Sequence, residues 1–258
     1  GSYNKNEVGN TPTSDGIIHG AGNELYNNAS EFYRAENGQP IGYFWGYKTA
    51  GIFQNTQEID EWRAAGNGIL QSNVQPGDVR FVDRNHDGQI NDKDKVNLGN
   101  GTPDFTLGLN LGFVYKGFDF SIVANGAFGQ QIVQSYRNHT RPTPNYTTAI
   151  LDRWHGEGTS NRIPRVTDSN INYQFSGLFI QNGDYLRLST LTLGYDFAKL
   201  FKGKAVSQAR LYFQVQNLFT ITGYDGMDPE IGFGSSNNSW VSGLDYGYYP
   251  RPRTVLVG

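Results

Sequence analysis

Residues Asp104–Phe128 read DFTLGLNLGFVYKGFDFSIVANGAF. Phe105, Leu107, Leu109, Leu111, Phe113 and Tyr115 fall on one side of an extended chain. Thr106, Gly108, Asn110, Gly112 and Lys116 fall on the other, and only Val114 breaks the order. A period of two specifies a strand. After Lys116-Gly117 the alternation restarts, with Phe118, Phe120, Ile122 and Ala124 set against Asp119, Ser121, Val123 and Asn125. Two long amphipathic strands joined by a tight turn make a hairpin. Its apolar side must meet either a protein core or lipid.

The chain has 258 residues, 37% hydrophobic and 14% aromatic, with 33 glycines and no cysteine. Mean hydropathy is −0.55. No apolar run approaches the ~18–20 residues of a membrane-crossing helix. Abundant aromatics and strand alternation argue against disorder. A transmembrane β-barrel gives this average, because lumen-facing polar residues dilute the lipid-facing ones. A soluble β-sandwich gives it as well. The net charge is −3, no basic stripe is present, and nucleic-acid binding finds no support. Without cysteine, thiol nucleophiles and Cys-ligated zinc are excluded.

Outward from the hairpin, residues 1–38 are polar, with Tyr3–Val8 as the tail of a strand and Thr11–Gly22 as loop. Pro40–Phe53 reads as a strand running into a turn. Thr56–Ala65 is the best helix, capped by Thr56 and stopped by Gly66. Gln130–Gln174 has no clean period and suggests a long excursion with a short helix at Ala149–Trp154. Asp184–Phe197 is a strand whose apolar phase flips between Leu188 and Leu191, which implies a bulge. Ala209–Phe219 alternates again, Gly223–Tyr249 reads as loop, and Arg253–Gly258 begins a last strand. Short links (Lys116-Gly117, Ala198–Ser207) alternate with long ones (Gly129–Gly183, Thr220–Tyr249), the order of an outer-membrane barrel.

One motif carries chemistry. Asp83, Asn85, Asp87, the Gln89 carbonyl and Asp94 occupy positions one, three, five, seven and twelve of a calcium loop, with Gly88 at the turning position six. The expected ion is a structural Ca2+. Asp replaces the usual Glu at twelve, and no helices flank the loop, so it is not an EF-hand. A metal-free turn rich in Asx residues is the plainer alternative. For catalysis the sequence offers little. His19, His86, His139 and His155 are scattered, and no nucleophile elbow or phosphate-binding loop appears. Asp228 and Glu230 resemble a glycosidase pair only in composition. Loop aromatics such as Tyr43, Phe44, Trp45, Trp240, Tyr246, Tyr248 and Tyr249 are either sugar-stacking surfaces or ordinary packing.

Five stretches together resemble the C-terminal part of SusC/RagA-type TonB-dependent outer-membrane transporters. They are Pro40–Asn55 (with Gln39 in front), Gly77–Ser121, Phe179–Phe197, Val215–Glu230 and Asp245–Thr254. The resemblance implies an all-β fold. Residues 1–258 would supply the C-terminal antiparallel strands of a plugged barrel of about 22 strands. The chain is then expected to be incomplete at both ends, with the plug and earlier strands elsewhere. It also implies a multi-pass location in the bacterial outer membrane and energised import rather than catalysis. The implied partners are the rest of the transporter, a SusD-like surface lipoprotein, the TonB complex, the bilayer and a glycan or peptide ligand. In such a barrel Asn110, Asn125, Arg210, Gln214 and Gln216 are expected to face the lumen, toward substrate or plug. The other expectation is a secreted, calcium-stabilised β-sandwich that binds carbohydrate, in which Leu107, Leu109, Leu111, Phe120 and Ile122 pack on a second sheet.

Overall fold

The computed structural model describes residues 1–20, 31–134, 148–168, 171–198, 209–231 and 240–258. In chain order the elements are β1 (Ser2–Tyr3), β2 (Ile17–His19), β3 (Tyr33–Glu36), β4 (Tyr43–Tyr47), β5 (Thr49–Ile52), α1 (Thr56–Ala64), β6 (Val79–Phe81), β7 (Lys95–Asn100) and β8 (Phe105–Tyr115). They continue with β9 (Phe118–Phe128), β10 (Gln131–Gln134), β11 (Ile180–Asn182), β12 (Tyr185–Asp196), β13 (Arg210–Thr222), β14 (Leu244–Asp245) and β15 (Thr254–Val257).

The long strands form one six-stranded sheet in the order β1-β8-β9-β12-β13-β15, antiparallel throughout. Four of them run 11 to 13 residues. At ~3.4 Å per residue and a tilt near 45°, eleven residues rise about 26 Å, close to the ~25 Å apolar band of an outer-membrane barrel. The β8–β9 turn is tight because Lys116 and Gly117 both have positive φ, 50° and 92°, as a type I′ hairpin requires.

Register aligns the apolar residues into rows. Leu111, Ile122, Leu191, Val215 and Val255 form one, and Phe113, Phe120, Leu193, Phe213 and Val257 the next. At the turn end Tyr115, Phe118, Tyr195 and Leu211 make an aromatic-rich row, and Phe118 and Tyr195 lie 4.4 Å apart. The phase flip in β12 is a bulge at Ser189, where the register shifts between Leu188 and Thr190. On β13 the partner of that bulge includes Asn217 at φ 51°. The extra residue keeps Leu186 and Leu188 on the same side as Leu191 and Leu193. That side is bare: Leu111 is 53% exposed and Phe113 62%. No second sheet of the described residues packs on it, so the sandwich expectation fails and the barrel wall stands.

The remaining strands sit at the opposite end from the Lys116-Gly117 turn. They form a four-stranded sheet (β2-β3-β4-β7), a three-stranded sheet (β11-β10-β14) and the β5–β6 pair. Here the chain has a conventional core, of Phe32, Tyr33, Phe44, Val133, Phe175, Phe179, Val241 and Leu244. The segments read as irregular therefore contain structure: Ile17–His19 pairs with Tyr33–Glu36, and Gln131–Gln134 pairs with both β11 and β14. These strands are two to four residues long, too short to show a period. Helix α1 is where it was expected, but its cap is Asn55, whose side chain accepts the Glu58 N–H, rather than Thr56. The expected helix at Ala149–Trp154 is a 3-10 turn at Thr148–Asp152. Most of the Ala198–Ser207 link lies outside the described residues, as do His139, Tyr136 and Tyr146.

Candidate functional site

The polar face of the long sheet is the first candidate surface. Register brings together all five residues expected there. Asn125 sits in a row with Gly108, Arg187 and Thr220, Asn110 with Val123, Thr190 and Gln216, and Gln214 with Gly112, Ser121 and Thr192. Arg210 lies at the turn end and makes a forked pair with Asp119 at 2.9 and 2.6 Å, across Gly194. A Cβ at Gly194 would fall 2.4 Å from Asp119 Oδ1, so only glycine leaves room for this bridge. Asn125 bonds Ser189 and, at 3.4 Å, Tyr185. Arg210 and Asn125 are thus occupied by neighbours, whereas Asn110 is exposed.

At the loop end of this face lies an arrangement that sequence reasoning missed. Arg187, 3% exposed, donates Nη2–H to Asp228 at 2.5 Å and Nη1–H to Glu230 at 2.8 Å. Its Nε–H goes to Thr220, and Arg251 reaches the other Glu230 oxygen at 3.0 Å. Asp228 and Glu230 are therefore ion-pair partners of one guanidinium. The network ties the Gly223–Ile231 segment and Arg251 to strand β12. Nothing in the sequence pairs residues 41 positions apart, although an arginine on the polar face of a barrel strand invites a search for a carboxylate.

Above the wall, an open cavity of about 430 Å³ is lined by Arg34, Glu36, Tyr43, Trp45, Lys48, Arg84, Lys95 and neighbours. The Arg34 guanidinium stacks 3.4 Å from the Trp45 ring centre and is held by Glu31 through bonds of 2.9 and 2.7 Å. Lys95 lies 4.7 Å over the same ring and pairs with Asp92 at 2.8 Å. Arg34 and Lys95 bring their own carboxylates, Glu31 and Asp92, so Lys48 and Arg84 against Glu36 make this cavity a place for polar groups. The lining side chains come from four separated segments, so the cluster is invisible in sequence. Of the loop aromatics, Tyr43, Phe44 and Trp240 are packed: the first two are buried, and Trp240 meets Tyr33 at 5.1 Å. Tyr246, Tyr248 and Tyr249 are exposed.

The Asp83–Asp94 loop forms the floor beside this cavity. Asp83 is 1% exposed, and its Oδ2 accepts N–H bonds from Gly88 (2.8 Å) and Gly68 (3.2 Å). Burial pushes its carboxyl up, but the amides of Gly88 and Gly68, with those of His86 and Asp87 nearby, prevail and hold it below the usual range. Asp83 Oδ1 is buried and has no hydrogen-bond partner. Asn85 Oδ1 accepts from Asp87 N, and Asp87 Oδ1 from Gln89 N. Gly88 (φ 80°) and His86 (φ 57°) turn the chain. Asp94 is buried, and each of its oxygens accepts an amide hydrogen at 2.8 Å, from Arg84 and Asn91. Ile90 is the inward anchor, clustered with Tyr47, Val79 and Phe81. Burial, with Asp92 and Asp94 close by, pushes the Tyr47 hydroxyl up to about 12. Among the described residues, no three His, Cys, Asp or Glu side chains already converge as a metal cluster.

Over the whole chain, 32% of residues are identical to a TonB-dependent receptor (P3) of Formosa agariphila, of which the chain covers 25%. The SusC receptor of Bacteroides thetaiotaomicron is 30% identical over 74% of the chain. The chain belongs to the SusC/RagA-type TonB-dependent receptors. This segment spans about a quarter of the length of the curated relatives it matches, 25% and 27% for the two longest matches. Among solved structures, the RagAB peptide transporter superposes over 99% of the segment and 26% of its own chain, with a TM-score of 0.68 at 18% identity, which establishes the shared fold. No family model matches. The six-stranded sheet is thus part of an outer-membrane β-barrel, with one bare apolar face and one polar face.

Proposed function

We propose that the receptor containing this segment imports a nutrient across the outer membrane, and that residues 1–258 form the C-terminal barrel wall and its extracellular loops. The supporting observation is the two-faced sheet, one side apolar and bare, the other polar and cross-braced. Such a wall encloses an aqueous lumen too wide to stand open, so a plug from elsewhere in the receptor fills it and TonB displaces the plug. The loop head, with its own packed core, is a platform for a SusD-like lipoprotein and for ligand. The cation-lined cavity around Trp45 and the exposed Tyr246, Tyr248 and Tyr249 are the ligand contacts on this platform. Asn110, Gln214 and Gln216 face cargo or plug, whereas Arg210 and Asn125 brace the wall. The cargo is an oligosaccharide or a peptide, and one structural neighbour is itself a peptide transporter.

The test is uptake by cells that carry or lack the receptor, using a panel of fluorescently labelled oligosaccharides and peptides. Uptake of one ligand class that disappears with the receptor, and with collapse of the proton gradient, supports the reading. Uptake of every probe at an unchanged rate without the receptor refutes it.

A further inference from the structure

We propose that the Asp83–Asp94 loop binds one Ca2+ against Asp83 Oδ1 and thereby fastens the turn after α1 to the cavity floor. Three independent features converge. The spacing places oxygen donors at Asp83, Asn85, Asp87 and the Gln89 carbonyl around a glycine turn. The backbone adopts that turn, with His86 and Gly88 at positive φ. Above all, Asp83 Oδ1 is a buried carboxylate oxygen with no partner. Its sister oxygen already holds two amides, one from within the loop and one from Gly68. A buried, ionised carboxylate left half-satisfied is costly unless a cation completes it.

The donor set selects the ion. All are hard oxygens, and no sulfur is present, which excludes soft metals. Mg2+ demands a rigid octahedron and keeps its waters, whereas Ca2+ accepts six to eight oxygens in a flexible loop. Asn85 and Asp87 are exposed and currently turned onto their own backbone. They also bond each other, Asn85 Nδ2–H to Asp87 Oδ2 at 2.9 Å, and the ion would take these oxygens in exchange for that bond, with waters completing the shell. Asp94 has another part: both of its oxygens hold loop amides, so it clamps the loop shut and completes, with Asn91, the capping box of the Asp92–Asp94 turn.

The ion would stiffen more than its own loop. Gly68 N bonds Asp83, and Gly68 O accepts the indole N–H of Trp62 on α1 at 3.2 Å. Arg84, next to Asp83, lines the cavity with Lys95, which follows Asp94. Calcium therefore sets the position of Arg84, one of the cavity's cations. This inference leans on the transport reading only for the supply of millimolar external Ca2+, and its test does not involve transport.

The intact receptor is purified in detergent, stripped with chelator, dialysed against about 1 mM CaCl2 as suits weak extracellular sites, and its calcium counted by elemental mass spectrometry. Wild type is compared with Asp87→Ala and Asp83→Asn, each checked for a heat-modifiable barrel band. The expected result is one calcium fewer per receptor in both variants. Calcium should also slow amide exchange at Gly68 and Gly88 in wild type and leave it unchanged in Asp87→Ala. Should Asp83→Asn not fold, the exposed Asp87→Ala decides. Equal calcium in wild type and a folded Asp87→Ala receptor overturns the proposal.

Discussion

Leu111→Arg separates apolar surroundings from water for the bare face. Leu111 is the seventh of eleven residues in β8, one step from its centre, which at ~3.4 Å per residue and ~45° tilt is about 2.4 Å from the middle of the band. A guanidinium at that depth costs roughly 2–4 kcal/mol, or roughly 30- to 700-fold in the folding equilibrium at 1.4 kcal/mol per tenfold. Asn110→Arg puts the same charge one residue away on the polar face, where water receives it, and is expected to cost less than about 1 kcal/mol. The intact receptor is refolded into phosphatidylcholine vesicles, and both variants are titrated with guanidinium chloride, read by the heat-modifiable band. Equal midpoints for the two, or a larger loss for Asn110→Arg, would refute the assignment of faces.

Three other outcomes follow from the geometry. Arg187→Ala strands Asp228 and Glu230 beside each other and should cost about 3–5 kcal/mol, seen as protease cleavage in the Gly223–Ile231 segment of an otherwise folded receptor. Gly117→Val forces a β-branched residue to φ 92° with its Cβ 3.1 Å from the Asp196 carbonyl; a loss of about 1–2 kcal/mol and slower insertion are expected, while Lys116→Asn is tolerated. The pKa of His19 is raised, first by its 2.9 Å hydrogen bond with Glu31, against the opposing pull of burial. A raised value means stability fully present below the unfolded value of about 6.5 and lost as pH climbs through the folded one. Protection factors of the β2–β3 amides, taken after dividing out the base-catalysed intrinsic exchange rate, should therefore be higher at pH 5.5 than at pH 8, and His19→Gln should remove that difference.

The wall was legible in the sequence because period-two alternation over eleven residues has one physical meaning, and even the bulge at Ser189 showed as a phase flip. Alternation alone did not choose lipid over a second sheet; the structure adds that no described residue covers Leu111 and Phe113. The head was not legible. Strands such as Ile17–His19 and Leu244–Asp245 are too short to carry a period, and their pairing depends on the buried cluster around Phe44 and Val133. Arg187 illustrates the same gap at the site: its partners lie 41 and 43 residues away, and local pattern holds no trace of them. The Asp83 loop was legible in its spacing, whereas the bare Oδ1 and the amide-filled Asp94 emerge only from three dimensions.

The central claim is that lipid, not protein, covers the apolar rows. This segment has no cysteine, so single cysteines carrying nitroxide labels, introduced from Leu107 to Phe113 of the intact receptor in vesicles, report accessibility by electron paramagnetic resonance. The account predicts that Leu107, Leu109, Leu111 and Phe113 collide with oxygen and not with an aqueous nickel complex, with the opposite order at Gly108, Asn110 and Gly112. Odd positions shielded from both reagents would mean that another sheet covers them, and would contradict it.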